Sequence, residues 1–515
     1  MNRPAWLSQS NPAPRFDLAV VGGGATGLGV ALHAAQRGFS VLLLEAHDFA
    51  SATSSRSTKL LHGGVRYLAQ GNLRLVREAL HERSALMGMA PHLAQALAFV
   101  LPVYRSWQLP FYGLALKGYD HLSGDHALGA TRFLNRRQTL EALPGVSEAG
   151  LVGGIEYWDG QFEDARYALF LAQSLASLGG VPVNHAKVIG VERSKIANSP
   201  RFVLQVRDQI SGHESSVQAD ALVNATGVWV DALRTAAQPD TPSHLVVPSQ
   251  GVHIVVDARF LPSKRALLVP RTRDGRVLFA LPWLGSVVIG TTDTPRSELP
   301  LHPQPLPAEI DFLLTEASKA LALKVLPSDV KSVWAGLRPL VANSSRYSTQ
   351  SLSREHTVVP DPHGMVSVTG GKWTTYRVMA EDTLQACFEI GTLPYRAWLP
   401  PKAKSSAARD TAATSLTLPP GPHLYGEERH RLTGIEGHDT QLCLGLTEAM
   451  VRYAARFEWA MHVEDVLARR SRCLFLDAAQ AQKWAPRVAE ILQQETGIDP
   501  QLDAFMAVAD RYRMP

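Results

Sequence analysis

Three cations stand out by the company they keep. Arg66 follows Gly63-Gly64 by two positions, Arg338 precedes proline in Gly336-Leu-Arg-Pro-Leu, and Lys372 follows Gly370-Gly371. Glycine and proline mark turns, so each is expected on a turn and not on a solvated helix face. An anion leaving water must be neutralised and hydrogen-bonded, and several cations on fixed turns suit a small phosphate ester. The planar fork of Arg338 would grip oxygens in pairs, whereas Lys372 supplies a point charge. From spacing alone, each is equally compatible with an ordinary surface ion pair. Two histidines are placed to move a proton near neutral pH. His253 opens an alternating apolar run, and His62 sits in a Leu-His-Gly-Gly turn, where a satisfied structural histidine reads as well. The 18 histidines make no HExxH pattern, and Cys387, Cys443 and Cys473 make no CxxC pair. No metal site and no disulfide framework are therefore expected, and a reducing compartment fits.

The elements that must position these groups are organised around residues 17–31. An apolar run turns through glycines into a helix: Gly22 permits a sharp turn, Gly24 a close approach to pyrophosphate, and Gly27 close packing of helix on strand. Ala25 and Thr26 open that helix, whose free N–H groups suit phosphate. A second apolar run, residues 41–44, closes on Glu45, where an acid would receive ribose hydroxyls. Strand, helix and acid together make a dinucleotide-binding fingerprint. The loop that follows carries Ser51, Thr53, Ser54 and Ser55, then Lys59, His62, Gly63, Gly64, Arg66 and Tyr67, a composition suited to a flat polar ligand along the backbone. A capping serine cluster would explain only residues 51–55. Residues 221–229 form a second motif of this kind, an apolar run ending in Ala225, Thr226 and Gly227 ahead of Trp229. A third strand, residues 365–370, enters a glycine turn and a helix from about Trp373, so that Gly371, Lys372, Trp373 and Thr374 would face the bound dinucleotide.

Length and composition frame these motifs. A chain of 515 residues, 45% hydrophobic and 19% charged, is a folded protein of two or three domains. Its 51 Lys+Arg against 47 Asp+Glu are scattered, which gives no indication of a nucleic-acid partner. Residues 1–15 are polar, and no stretch reaches the ~18 unbroken apolar residues of a span, so neither secretion signal nor transmembrane helix is read. Residues 73–89 have helical periodicity, residues 156–166 read as the start of a helix, and residues 181–191 alternate like one strand. Residues 97–122 interleave Trp107, Phe111, Tyr112 and Leu114 with Arg105 and Lys117. That pattern fits an interfacial anchor or a helix with one buried face. Short alternating strands fill residues 246–290. Residues 400–420 read as a linker, and the remainder as helices with basic faces.

The glycine-rich loop, Ala52-Thr-Ser-Ser, Lys59-Leu-Leu-His-Gly-Gly-Val-Arg-Tyr-Leu, Gly336-Leu-Arg-Pro-Leu and Gly370-Gly-Lys-Trp-Thr-Thr-Tyr-Arg resemble the FAD-dependent, quinone-linked glycerol-3-phosphate dehydrogenases. The resemblance runs through Val451-Arg-Tyr-Ala, Val463-Glu-Asp-Val-Leu-Ala-Arg-Arg and Leu474-Phe-Leu-Asp and so covers nearly the whole chain. It implies an α/β fold: a glutathione-reductase-like FAD-binding Rossmann domain (16–84, 150–240 and 334–395), an inserted mixed-sheet substrate domain (85–149 and 241–333), the linker (396–420) and a helical C-terminal domain (421–515). It implies oxidation of sn-glycerol 3-phosphate to dihydroxyacetone phosphate by hydride transfer to FAD, with membrane quinone as acceptor. Arg66, Tyr67, Arg338, Lys372 and Thr375 would then line the substrate site, His253 would be the base, and the backbone near Val188 would lie against adenine. Gln250 departs from the family, whose members often carry a basic residue there. A quinone acceptor implies peripheral attachment to an anionic lipid surface on the cytoplasmic membrane face, and a homodimer is a compatible assembly. The rivals are an oxidase of the same substrate using oxygen, an amine or amino-acid oxidase of the related flavin fold, and a flavin-bound interaction protein without turnover.

Overall fold

The structure, a computed structural model, describes residues 3–8, 13–63, 73–193, 201–238, 244–342, 356–398 and 413–514. Its first sheet grows from the unbroken apolar run Leu18 to Val21, which buries both faces of the strand Arg15–Val21 as central parallel strands do. Gly22 then turns at a φ of +112°, open to glycine and strained for other residues, and the helix Ala25–Gln36 begins. A Cβ on Gly27 would collide with the Gly22 carbonyl oxygen, so this helix lies on its strand only because Gly27 has none. Among the described residues the sheet has eight strands. Their order is His356–Pro360, Met365–Gly370, Glu214–Asn224, Arg15–Val21, Val41–Leu44 and Val181–Val183, with Ala186–Arg193 and Phe202–Asp208 extending it antiparallel from Glu214–Asn224. The strands Arg15–Val21 and Glu214–Asn224 run parallel, so their C-terminal ends meet: the Ala225 N–H donates to the Val21 carbonyl at 2.9 Å.

The second sheet has ten strands among the described residues. Its path runs Thr294–Pro295, Val246–Asp257, Ser286–Gly290, Leu278–Trp283, Ala266–Val269, Ala94–Val103, Gly153–Phe162 and Leu60–Leu61, with Val330–Val341 paired along Val246–Asp257 and Arg132–Asn135 on Gly153–Phe162. The strand Gly153–Phe162 corrects the helix expected over residues 156–166. It pairs with Ala94–Val103 over ten positions and is covered on both faces, so no period-two alternation marks it. The helix starts later, at Asp164–Ser177, where the Glu163 side chain accepts the Arg166 N–H at 2.5 Å. Residues 181–191 form two strands and not one, broken at His185, whose φ is +51°.

The helices Glu448–Phe457, Cys473–Leu476, Ala478–Thr496 and Leu502–Asp510 share one continuous core with the helix Ala25–Gln36 and the first sheet. Only some of the basic residues of this region form the solvated faces expected of them. Arg469, Arg470 and Arg472 are buried, and the first two pair with Asp48. A second correction concerns the cysteines: Cys443 and Cys473 form a disulfide across a sequence separation of 30, while Cys387 is buried and free. The docking of these helices brings the two sulfurs together, and spacing alone carries no sign of that.

The aromatic stretch forms the helix Gln108–Ser123, with Leu116 and Tyr119 buried and Trp107 56%, Phe111 63% and Leu114 76% exposed. Phe133, itself 46% exposed, packs where Gly113 leaves room, and the Lys117 ammonium lies 5.2 Å from its ring centroid. Among the described residues no helix is long and apolar enough to cross a membrane.

Candidate active site

Where the C-terminal ends of the first sheet face the second, a cavity of about 1820 Å³ opens. Its wall holds Gly22, Gly24, Ala25, Thr26, Glu45, Thr53, Ser54, Val188, Ala225, Thr226, Gly227 and Trp229 from the dinucleotide side. From the other side come His62, His253 and Arg338, while Gly371, Lys372, Trp373 and Thr374 follow the first-sheet strand Met365–Gly370. Gly27 stands behind Gly22, and Ser55, Lys59, Gly63 and Thr375 are off the wall. Gly64, Arg66 and Tyr67 lie outside the described residues.

The dinucleotide side is shaped by short local bonds. Glu45 is aimed by two N–H donors, Gly23 to Oε2 at 2.6 Å and His47 to Oε1 at 2.9 Å. Ser54 crosses the helix start, its Oγ accepting the Ala25 N–H at 2.9 Å, and its carbonyl accepts Trp373 Nε1 at 2.8 Å. Thr53 Oγ1 donates to the Leu337 carbonyl at 2.6 Å, which ties this loop to the strand that carries Arg338. A Cβ at Gly22 would strike the Ala225 carbonyl, so two chain segments far apart in sequence close on one crevice. Bare glycine backbone, an exposed helix N-terminus and an oriented carboxylate fit pyrophosphate and ribose. The site therefore fits FAD.

On the opposite wall the strand Val246–Asp257 runs between Ser286–Gly290 and Val330–Val341, in a register that sets His253 against Gly290 and Trp334. The His253 ring stacks on Trp334 at 4.2 Å with planes 20° apart, and its Nε2 lies 3.0 Å from Thr58 Oγ1. Burial, reinforced by the cations of Lys59 and Arg338, holds its pKa well below the usual imidazole value. Near neutral pH the ring is therefore uncharged and able to accept a proton. The Arg338 guanidinium donates to the Thr292 carbonyl and to Thr291 Oγ1, each at 3.1 Å, with Asp293 Oδ1 at 3.8 Å. Arg338 thus owes its place mainly to the turn Thr291-Thr292-Asp293. That turn and Thr58 were missed as site residues, although a glycine-threonine stretch directly after the strand Ser286–Gly290 was the available signal. Gln250 does not face the cavity. Its Nε2 donates to Glu309 Oε2 at 2.6 Å, and Glu309 Oε1 accepts from Thr292 Oγ1 at 2.8 Å, so it braces the Arg338 turn from behind.

Lys59 is the residue the structure moves furthest from its expected place. Its Nζ donates to Asp164 Oδ2 at 2.7 Å and to the Ser55 carbonyl at 2.8 Å, away from the dinucleotide crevice. Among the described residues one group has metal-ligand types, His185, His462 and Asp465, with ligand atoms within 4.8 Å of one another. Asp465 Oδ2 already accepts the Met461 and His462 N–H groups at 2.8 and 2.9 Å, and Oδ1 accepts from Arg469 at 2.7 Å. Those bonds make it a capping and bracing residue.

Residues 17–377 match the FAD dependent oxidoreductase family, and residues 424–502 match the C-terminal domain of alpha-glycerophosphate oxidase. The chain is similar to a probable mitochondrial glycerol-3-phosphate dehydrogenase of Caenorhabditis elegans, 38% identical over 95% of this chain and 72% of that one. It is 36% identical to the mitochondrial glycerol-3-phosphate dehydrogenase of Homo sapiens, over 97% of this chain and 73% of the relative. Among solved structures it resembles the glycerol-3-phosphate dehydrogenase of Bacillus halodurans complexed with FAD. The TM-score is 0.74 and the identity 26%, covering 97% of this chain and 95% of the other.

Proposed function

The chain belongs to the FAD-dependent glycerol-3-phosphate dehydrogenase family, and from that membership we propose that it oxidises sn-glycerol 3-phosphate to dihydroxyacetone phosphate and passes the electrons to a membrane quinone. FAD is the cofactor, and when bound it supplies the hydride acceptor. Glu45 receives ribose hydroxyls, the helix start at Ala25 and Thr26 faces the pyrophosphate, and the backbone near Val188 lines the adenine end. Arg338 and Lys372, with Arg66 and Tyr67, hold the substrate phosphate. His253 takes the hydroxyl proton. Its Nε2 lies 3.0 Å from Thr58 Oγ1, and its Nδ1 has no hydrogen-bond partner among the described residues. In the finer reading of the fold, the first sheet belongs to a glutathione-reductase-like FAD domain and the second to an inserted substrate domain.

The observation that carries this function is a buried His253 and an Arg338 tied to the Thr291-Thr292 turn on one wall of a cavity whose opposite wall is a dinucleotide cradle. A lipid-side acceptor is supported by Phe111, Tyr112 and Ala115, which line the same cavity from the helix that exposes Trp107 and Leu114. Arg105 and Lys117 flank that apolar face and suit anionic headgroups, so peripheral attachment to a membrane follows. The C-terminal match names an oxidase, which makes oxygen the competing acceptor. Anaerobic addition of glycerol 3-phosphate to the purified flavoprotein is expected to bleach the flavin absorbance. Stopped-flow reoxidation by a soluble quinone should then outpace reoxidation by oxygen. Absence of bleaching overturns the substrate, and faster reoxidation by oxygen overturns the quinone.

A further inference from the structure

Beneath the strand that carries His253 lies a closed ionic cluster that the proposed reaction does not use. Lys59, Glu163, Asp164 and Arg472 are all inaccessible to solvent. Besides its bonds to Asp164 and the Ser55 carbonyl, the Lys59 ammonium lies 4.8 Å from the Trp334 ring centroid, 5.2 Å from Trp283 and 5.6 Å from Phe475. Arg472 reaches in from the C-terminal helices. Its Nη2 donates to the same Ser55 carbonyl at 2.6 Å and stands 3.4 Å from Asp164 Oδ1, while its Nε is 3.0 Å from Glu163 Oε1. Two cations and two carboxylates thus close on one another in a dry site. Well-packed apolar residues would serve stability there as well or better, so stability gives little reason for the cluster.

Its geometry points at the base. Trp334 packs against both Lys59 and the stacked His253 ring, and the residue before Lys59, Thr58, is the hydrogen-bond partner of His253 Nε2. Both contacts that orient the imidazole therefore run through the neighbourhood of Lys59. The backbone there is held at a φ of +65°, a conformation the Asp164 and Ser55 bonds help to maintain. We propose that Lys59, locked by Asp164 and held beside Arg472 of the C-terminal region, is a positioning residue that keeps the His253 ring fixed, with a cation beside it, for proton acceptance. This rests on the reading of His253 as the base. The charged groups facing His253 are Lys59 from the loop below and Arg338 from the adjacent strand, both cationic. Glu163 and Asp164 are engaged with Lys59 and Arg472. Burial pushes the Lys59 ammonium down to about 7, Asp164 opposing, so its charge fades as pH rises through neutrality. On the acid side, where His253 is at risk of protonation, Lys59 is charged.

The test is the pH dependence of anaerobic flavin reduction by glycerol 3-phosphate, with flavin content and half-saturating substrate measured alongside. In the wild type the rate falls on an acid limb that reports His253 protonation. Removing the neighbouring cation favours imidazolium, so Lys59→Met should move that limb upward by about one pH unit, a roughly tenfold loss of rate below it. Half-saturation and flavin content should change little. A merely structural Lys59 would lower the rate equally at all pH, and an unmoved limb overturns the proposal. Where Lys59→Met fails to hold flavin, Lys59→Gln removes the charge while keeping an amide donor on the side chain. The same displacement is expected, and its absence overturns the proposal. His253→Gln separates the two readings: it should abolish the limb. A limb retained in His253→Gln removes the base and this inference with it, whereas a limb lost there but unmoved in Lys59→Met removes only the inference.

Discussion

Arg338 shows how one side chain can be placed by backbone and still serve an anion. Its guanidinium donates to a carbonyl and a hydroxyl of the turn Thr291-Thr292, with Asp293 Oδ1 at 3.8 Å. A guanidinium held this way keeps its positive field directed at the cavity, and a charge-assisted contact to phosphate contributes about 1.5–3 kcal/mol. Arg338→Ala should therefore lower kcat/KM for glycerol 3-phosphate by roughly 10- to 150-fold. Arg338→Lys should rescue poorly, because the paired geometry is lost. Slow reduction by glycerol, which lacks the phosphate, should barely change, and equal losses on both compounds would count against the phosphate role. This residue was legible because proline and glycine flank it in sequence. Lys59 was not: its motif places it in the flavin loop, but a side chain five bonds long can point to either side of that loop. Here the paired carboxylate Asp164, a hundred residues away in the chain, decides the side.

The loop after Glu45 joins two elements that the sequence treats separately. Glu45 faces the cavity, while Asp48, three residues on, accepts bonds from the buried Arg469 and Arg470 and from Asn184 at 3.0 Å. The C-terminal region thus braces the loop after Glu45 from behind. Asp48→Ala would leave the buried Arg470 short of its counter-ion and take one of three carboxylates from Arg469, at a cost of about 3–5 kcal/mol. It should lower both the melting temperature of the apoprotein and its retained flavin. Glu45→Ala should lower flavin content with far less effect on apoprotein melting. Flavin per chain after gel filtration and apoprotein melting curves check this, and matched melting losses in the two variants would refute the division of labour. Unbroken apolar runs made the parallel strands Arg15–Val21 and Val41–Leu44 readable. The strand Gly153–Phe162 was hidden because both its faces are covered, so burial leaves no alternation to see. The buried arginines were hidden for a related reason: composition shows a basic segment, and only packing shows that its charges meet Asp48, Glu163 and Asp465.

At the scale of the molecule, one cavity joins a dinucleotide cradle to an exposed apolar helix. Periodicity in residues 97–122 reports that a helix has an apolar face, never what covers it, which is why anchor and buried helix were indistinguishable in sequence. The structure gives the helix Gln108–Ser123 both faces: Leu116 and Tyr119 go inward, and Trp107, Phe111 and Leu114 go outward. Phe111 also lines the cavity, so an acceptor dissolved in lipid would meet the cavity wall at the membrane surface itself. The proposed attachment then requires the outward side chains to enter the headgroup boundary while Arg105 and Lys117 meet anionic lipid. Trp107→Ser with Leu114→Ser tests this without touching the cavity, since neither residue lines it. Wild-type protein should sediment with anionic liposomes, less so as salt rises. The double variant should stay largely in solution while its flavin is still reduced by glycerol 3-phosphate and reoxidised by a water-soluble quinone at wild-type rates. If the double variant sediments as well as the wild type with flavin intact, this helix is not the membrane contact. The basic surface of the C-terminal helices would then be the face to mutate next.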